Sequence, residues 1–324
     1  MKAKNFKKTI LSAAVLLALS GCHWGSDDDD DVVDGGEPPP PAEETFTVEG
    51  TAVKGLVSNA LIRAFDASGT EIELPGAPVR TGADGSFTVE IPEDANLPVE
   101  LRLTGGTDSV TGEAPIGTYS SLVFNTGQNT ANISPTTTLI TEILKTREDF
   151  SNVTVEEVNA VTEGVVEALG FGIDGELDDS ATGVDPIRVT IGAENAISYL
   201  VAQEAIGEML RRMTDALDDG DFIVDQEDGD LFNSIVSSLA ADLADDGEIS
   251  LDREGGDLGD GISGSEVSLL AALEAANVGL EIFGGGFVVT TRQGEVDPTT
   301  ALFQTLQDLG VTDVNGGDPL AGLT

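Results

Sequence analysis

The stretch NISPTTTLITEIL, from Asn132 to Leu144, is where the sequence changes from a strand-like to a helix-like pattern. Ser134 followed by Pro135 is typical of a helix N-cap with proline at the first helical position, where a backbone N–H would have no partner anyway. We therefore predict a helix that opens here and runs to about Arg147. The chain before this point and the chain after it are expected to fold as different classes of structure.

The segment 44–131 predicts short strands separated by turns. Gly- and Asp-containing turns separate its apolar runs, and no stretch of helical length and period occurs. The clearest runs are Thr45–Val53, Asn59–Phe65, Ser86–Ile91 and Leu97–Leu103. Several short strands of this kind indicate an antiparallel β-sandwich module over residues 44–131.

Two pieces of this segment carry a family resemblance. GTAVKGLVSNALIRAFDASG (Gly50–Gly69) and TGADGSFTVEIP (Thr81–Pro92) resemble the carboxypeptidase-regulatory-like, or prealbumin-like, modules of bacterial surface proteins. The resemblance implies an Ig-like or prealbumin-like sandwich. It implies no single function, because this fold serves as spacer, adhesin and binding module alike.

The segment 132–324 predicts about six amphipathic helices, from apolar residues recurring at three- and four-residue steps. One helix is predicted over Ala193–Leu217 and another over Asp230–Leu243, and the buried stripe of the first includes Met209 and Met213. Capping boxes or a cap followed by proline predict three further helix starts. These starts are Thr154 with Glu157, Ser263 with Glu266 (a helix to about Asn277), and Asp297 with Pro298.

The chain is therefore predicted to be multi-domain, β then α, with the sandwich followed by an all-α, bundle-like domain over residues 132–324. The opening stretch NISPTTTLITEIL adds a second resemblance. It is similar to the SPLTTL helix start that follows sandwich modules in many marine bacterial lipoproteins of unassigned function.

The N-terminus has the pattern of a secretory signal. Four lysines precede the apolar run Thr9–Leu19, which is shorter than the roughly 20 residues that span a bilayer. It ends in Leu19-Ser20-Gly21-Cys22, which resembles the lipobox of bacterial lipoproteins. The resemblance implies a cleaved signal peptide over residues 1–21 and lipid attached to Cys22, the only cysteine. The alternative is an ordinary signal peptide with a chance cysteine.

The lipid would make a membrane the first partner of this protein. In lipoproteins of Gram-negative bacteria, aspartate after the cysteine tends to retain the protein in the inner membrane. His23 at this position therefore implies the outer membrane, with either face left open. Residues 22–43 are predicted to be a disordered tether, because Asp27–Asp31 repel one another and Pro38–Pro41 favour an extended polyproline II spacer.

Composition excludes several classes of function. The chain has 59 acidic against 15 basic residues, a net charge of −44. Nucleic acid is therefore an unsuitable partner, because phosphate backbones require a basic face. The only histidine, His23, lies beside Cys22 in the tail, so Ser–His and Cys–His chemistry is excluded from the folded part. We predict a protein that is not an enzyme.

An internal repeat raises the question of calcium. DALDDGDFIVDQE (Asp215–Glu227) and DLADDGEISLDRE (Asp242–Glu254) share one pattern, but neither supplies EF-hand ligands at positions 3 and 12. Solvated turns in which glycine ends a helix are the favoured interpretation, and no cofactor is expected. Calcium binding of another kind remains the alternative. Its candidate ligands are Asp219, Asp221, Asp225, Asp246, Glu248 and Asp252.

Three functional hypotheses follow. The favoured one is a non-enzymatic, lipid-anchored envelope protein that serves as a surface or periplasmic interaction or adhesion module, with a protein partner that the sequence does not name. The second is an accessory lipoprotein of an outer-membrane transport or assembly system that handles apolar ligands between its helices. The third is a carboxylate-based hydrolase, since two acids suffice for glycosidase chemistry. Aromatic residues that would line sugar subsites are scarce, at 5% of the chain.

Overall fold

The computed structural model describes residues 44–171, 185–191, 196–218, 228–249 and 263–311. Strands come first and helices follow, so the predicted β-then-α order is confirmed. The strands of the first part are β1 (Thr45–Thr51), β2 (Val57–Ser58), β3 (Leu61–Phe65), β4 (Glu71–Ile72), β5 (Val79–Arg80), β6 (Ser86–Pro92), β7 (Val99–Thr104), β8 (Thr107–Asp108) and β9 (Tyr119–Val123).

Every strand pair in this part is antiparallel. β1 pairs with β6 along its full length, with Thr45 opposite Pro92 and Thr51 opposite Ser86. The largest sheet has the order β4-β3-β7-β9, with β5 also paired to β3, and β2 pairs with β8. β6 alternates between buried and exposed residues, and Phe87 lies on the buried side as the sequence predicts.

The helices are α1 (Pro135–Lys145), α2 (Val155–Leu169), α3 (Ala196–Asp218), α4 (Asp228–Asp246), α5 (Gly264–Phe283) and α6 (Pro298–Asp308), with a short hairpin of β10 (Val289–Thr291) and β11 (Gly294–Val296) before α6. The four predicted capped starts are confirmed, α4 begins two residues before the predicted Asp230, and the predicted start at Ala193 lies outside the described residues. Ser134 caps α1, and its side chain accepts a hydrogen bond from the backbone N–H of Thr137. Thr154 and Glu157 form the capping box of α2. Asp297 caps α6, with Pro298 at its first position.

The helix end that differs most from the prediction is that of α5. The sequence predicts that the helix after Ser263 ends near Asn277. Instead α5 continues to Phe283 and ends at Gly284. The packing of Val278, which is fully buried, holds the extra turns in place.

A single hydrophobic core runs from the strands into the helices. Its members come from both parts, and the described residues from Glu44 onward belong to one compact unit. The contact of Tyr119 on β9 with Phe232 on α4 shows the junction, with ring centroids 5.4 Å apart. α1 packs against β9, and the hydroxyl of Thr137 donates to the carbonyl of Ser120 at 2.7 Å. Met209 and Met213 are fully buried in this core, as predicted.

The predicted signal peptide, Cys22, His23 and the tether lie outside the described residues. Within the described ranges, no helix combines the length and the apolar character needed to cross a membrane.

Candidate functional site

A buried cluster of charged side chains lies where the strands meet α3. Lys54 follows β1, Asp108 ends β8 and Glu204 lies in the first half of α3. The Lys54 Nζ donates to Asp108 Oδ2 and to Glu204 Oε2, both at 2.9 Å. The side chains of the three residues are 9%, 1% and 0% exposed. Charged groups are almost never buried to this degree without a partner, so the cluster is a specific feature of the fold.

Two glycines make room for the cluster. A Cβ atom at Gly207 would lie 2.9 Å from Cε of Lys54, so the lysine stem runs along α3 only because this residue has no side chain. A Cβ atom at Gly55 would lie 2.5 Å from Oδ1 of Asp108. A methyl group at either position would therefore force a charged side chain of the cluster to shift.

The two carboxyl groups have different surroundings. Asp108 also accepts the backbone N–H of Val110 at 2.8 Å and the hydroxyl of Thr111 at 3.0 Å. Glu204 has no such support, and its Oε1 atom is buried without a hydrogen-bond partner. Burial would raise the pKa of Asp108, but the charge of Lys54 and these hydrogen bonds outweigh it and lower that pKa below its ordinary value.

Glu204 behaves in the opposite way. Burial and the nearby charge of Asp108 raise its pKa to about 8 in spite of Lys54. Burial would lower the pKa of Lys54, yet the two carboxyl groups raise it above its ordinary value. The site thus favours the charged forms of Lys54 and Asp108 and the protonated form of Glu204.

A polar cleft of about 270 Å³ lies between β7, β9, α1 and α4. Arg102 contacts Glu100 at 2.8 Å, and Lys145 contacts Glu142 at 2.7 Å and Glu100 at 3.5 Å. Because these charges neutralise one another, the cleft is a charged junction between the sheet and the helices. The hydroxyl of Ser120 lines it and has no hydrogen-bond partner.

A second cleft, of about 470 Å³, lies between α1, α2 and the end of α4. Polar residues form part of its lining, including Arg147 and Glu163. Its apolar lining residues are Ile143, Ala160, Val161, Val165, Leu243 and Ala244.

The outer face of α5 carries an exposed apolar stripe. Leu269, Leu273, Leu280 and Phe283 are 45%, 53%, 72% and 76% exposed. With Ala276, which is also exposed, they recur at alternating steps of four and three residues. This heptad-like spacing is typical of a helix face that packs against another helix. We call these five residues the α5 stripe.

The candidate calcium ligands lie mostly outside the described residues. Asp219, Asp221, Asp225 and Asp252 fall in undescribed segments, and nothing is described of the Asp246 side chain. Glu248 is exposed and follows Gly247, which has a φ of +78° at the end of α4. Among the described residues, no three His, Cys, Asp or Glu side chains are arranged to hold a metal ion.

Sequence reasoning missed the buried cluster, although one signal was present. Glu204 occupies a position on the three- and four-residue ladder that runs through Ile197, Leu200 and Val201, where an apolar residue is expected. Its partners lie 150 and 96 residues earlier in the chain, so no spacing rule connects them.

Comparisons with protein-family models, with curated proteins and with solved structures find no match to this chain.

Proposed function

We propose that this protein is a non-enzymatic, lipid-anchored envelope protein that binds a partner protein through the α5 stripe. The exposure of four large apolar side chains on one helix face is the observation that carries this proposal. Scattered exposed leucines are ordinary, but a contiguous row of them marks an interaction surface.

The geometry of α5 favours a helical partner. Gly264, Ala271 and Val278 lie on the opposite face of the helix and are buried against the rest of the protein. The stripe is therefore centred on the solvent side. Ala272, Asn277 and Gly279 beside the stripe are uncharged, whereas Glu266, three residues before Leu269, is an exposed acid. A Cβ atom at Gly279 would meet open space, so another helix could approach closely.

Charge decides which helix would fit. The chain carries a net charge of −44, and a second copy would bring the same charge to the interface, where like charges oppose association. We therefore assign the stripe to a different protein that presents an amphipathic helix with an apolar heptad row flanked by lysine or arginine. Apolar contact with the stripe would supply the binding, and acids such as the exposed Glu266 would steer the approach of the basic flanks.

The remaining parts of the proposal rest on the sequence. Lipid on Cys22 would hold the protein at the outer membrane of a Gram-negative bacterium, and the acidic, proline-rich residues 22–43 would act as a disordered tether. The strands would form a prealbumin-like sandwich and the helices a bundle-like layer that presents α5. A lipid anchor followed by a disordered tether suits an interaction protein, because tethering raises the effective concentration of the binding surface near its partner.

The test is site-specific photo-crosslinking in intact cells. A photoreactive amino acid at position 273 should form an adduct with one discrete protein, whereas the same group at the exposed Gln304 on α6 should not. Leu280→Glu should abolish the adduct at position 273 without changing the far-UV circular dichroism, because residue 280 is largely exposed. The cross-linked partner peptide should carry an apolar heptad with basic flanks.

Two outcomes would overturn the proposal. An adduct formed only with a second copy of this chain would show that the stripe is a homodimer interface. The absence of any stripe-dependent adduct would show that α5 is not a docking surface.

A second candidate function is favoured by the cleft between α1, α2 and α4. Six of its twelve lining residues are apolar, and this apolar part would contact the chain of an amphipathic ligand, as expected of an accessory lipoprotein in outer-membrane transport or assembly. A fluorescent long-chain fatty acid should then bind the purified protein, and Ala160→Trp should weaken this binding by filling the cleft. Binding that is unchanged in the variant would exclude the cleft as the site.

A further inference from the structure

We propose that the Lys54 amine and the Asp108 carboxyl group become joined by an intramolecular isopeptide bond, with Glu204 as the acid–base group of the reaction. The bond would form once in each molecule, after folding has brought the three side chains together. It is independent of the function proposed for the α5 stripe.

Proximity is the first argument. The Lys54 Nζ lies 2.9 Å from an oxygen of Asp108 although the two residues are 54 positions apart. Holding two reactants in contact replaces an encounter in solution and raises their effective concentration by orders of magnitude. Val110 and Thr111 fix the Asp108 carboxyl group through their hydrogen bonds, and Gly207 leaves room for the lysine stem.

Exclusion of water is the second argument. All three side chains are at least nine-tenths buried, so bulk water, the reactant of amide hydrolysis, is kept away once the water molecule released by the reaction has left. Burial alone opposes the charged forms of Lys54 and Asp108, but their mutual attraction outweighs it and keeps both groups charged, so the neutral pair forms by transient proton transfer across the 2.9 Å contact. The neutral amine is the nucleophile that the reaction needs.

The reaction balances without any added reagent. One proton passes from Nζ to the Asp108 carboxylate, and the amine nitrogen then bonds to Cγ. Glu204 donates its proton to the carboxyl oxygen of Asp108 and takes one back from Nζ. The resulting intermediate loses one molecule of water, so a C–N bond forms, a C–O bond breaks and Glu204 returns to its initial state.

Glu204 is suited to this role and Asp108 is not. Glu204 contacts the reacting nitrogen at 2.9 Å, and its free Oε1 has no hydrogen bond to restrain it. Burial raises its pKa to about 8, which favours the protonated form from which it can donate. Asp108 is held from several sides and remains in place as the group that is attacked.

Peptide mapping of the purified full-length chain tests the proposal. Tryptic digestion should release a branched peptide that joins the Lys54 segment to the Asp108 segment. Its mass should be lower than the sum of the two linear peptides by one molecule of water. Fragmentation should locate the link between Nζ and Cγ. If the folded wild-type protein gives only linear peptides, the proposal is wrong, and this result needs no variant.

Three variants test the assigned roles. Lys54→Arg should give no branched peptide, because a guanidinium group is not a nucleophile at neutral pH. Glu204→Gln keeps the shape but cannot carry the proton, so the branched fraction should fall at least about tenfold. Asp108→Asn should give the same branched peptide as the wild type, because ammonia leaves in place of water. A wild-type yield in folded Glu204→Gln would overturn the role of Glu204.

Discussion

Replacing Phe232 with alanine tests whether the strands and helices share one cooperative core. The Phe232 side chain is 1% exposed and packs between α4 and Tyr119 of β9. Phe-to-Ala changes in cores cost about 3–5 kcal/mol, and the lost aromatic contact adds about 0.5–1.5 kcal/mol. Because β9 is hydrogen-bonded in a sheet and cannot collapse into the space, we expect a loss of about 4–5 kcal/mol in the free energy of unfolding.

Urea denaturation followed by far-UV circular dichroism measures this loss. With a slope of about 3 kcal/mol per molar urea, the midpoint should fall by about 1.5 M. Hydrogen exchange should show that amides of β9 and of α4 lose protection together. Leu273→Ala is the control, because its half-exposed side chain should cost less than about 0.5 kcal/mol. A loss below about 1 kcal/mol, or faster exchange confined to α4, would refute the shared core.

Gly117 extends this test to a double-mutant cycle. Its φ is +73°, and a Cβ atom there would lie 2.3 Å from Cδ1 of Phe232. Gly117→Ala alone should therefore suffer both backbone strain, about 1–2 kcal/mol, and a clash. In the Phe232→Ala background only the strain should remain. The double variant should therefore lose less stability than the sum of the losses in the two single variants. Strict additivity would show that the two residues do not meet.

Three further changes have definite expected results. Burial would raise the pKa of Glu208, but hydrogen bonds from Arg211 and Arg212 outweigh burial and lower that pKa. The ionised Glu208 side chain therefore stabilises the fold above pH 4.5, and this stabilisation is lost as the pH falls through the folded-state pKa. Glu208→Gln should lower stability at pH 7, and the stability of the variant should fall less steeply than that of the wild type below about pH 4. Urea midpoints measured from neutral to acidic pH test this. Gln128 is buried, with its amide nitrogen donating to two backbone carbonyls at 2.9 Å each, so Gln128→Glu should place a carboxylate against both and cost about 2–4 kcal/mol at pH 7 by chemical denaturation. Asn132 links β1 to the segment 185–189 by accepting from one backbone N–H and donating to a carbonyl at 2.7 Å; Asn132→Asp should therefore lower the thermal midpoint at pH 7 and recover part of it in acid, where the carboxyl group can donate again.

The sequence was most informative where a local rule acts. Four helix starts can be predicted from the sequence, because capping depends only on neighbouring residues. The structure confirms them at Ser134, Thr154, Ser263 and Asp297. The four apolar runs correspond to β1, β3, β6 and β7 for a similar reason. Alternation with a period of two is a local property of a half-buried strand.

β9 shows where local rules fail. Its sequence, Tyr119 to Val123 (YSSLV), does not alternate, and all five residues are buried. The strand is covered on one side by α1, which packs there after a separate chain segment. Serine hydroxyls would ordinarily face solvent, so their burial in Ser120 and Ser121 depends on a helix that the strand's own sequence does not contain.

The α5 stripe and the buried cluster both depend on the fold and could not be predicted from local patterns. The α5 stripe could be read as an amphipathic pattern, but without the fold its apolar residues would be assigned to the core, since a sequence does not show which side of a helix is covered. Val278 is buried while Leu280 is 72% exposed, only two residues later. The buried cluster required three distant segments to meet, which no local pattern can specify.

The position of Glu204 in the chain has a consequence for the order of folding. Lys54 and Asp108 both belong to the strand part of the chain, whereas Glu204 lies on α3, 96 residues after Asp108. The strands can therefore bring the amine and the carboxyl group together before the residue proposed to transfer their proton is in place. The covalent bond would form only after α3 has packed against the strands, so the strands can correct their register first and are fixed afterwards.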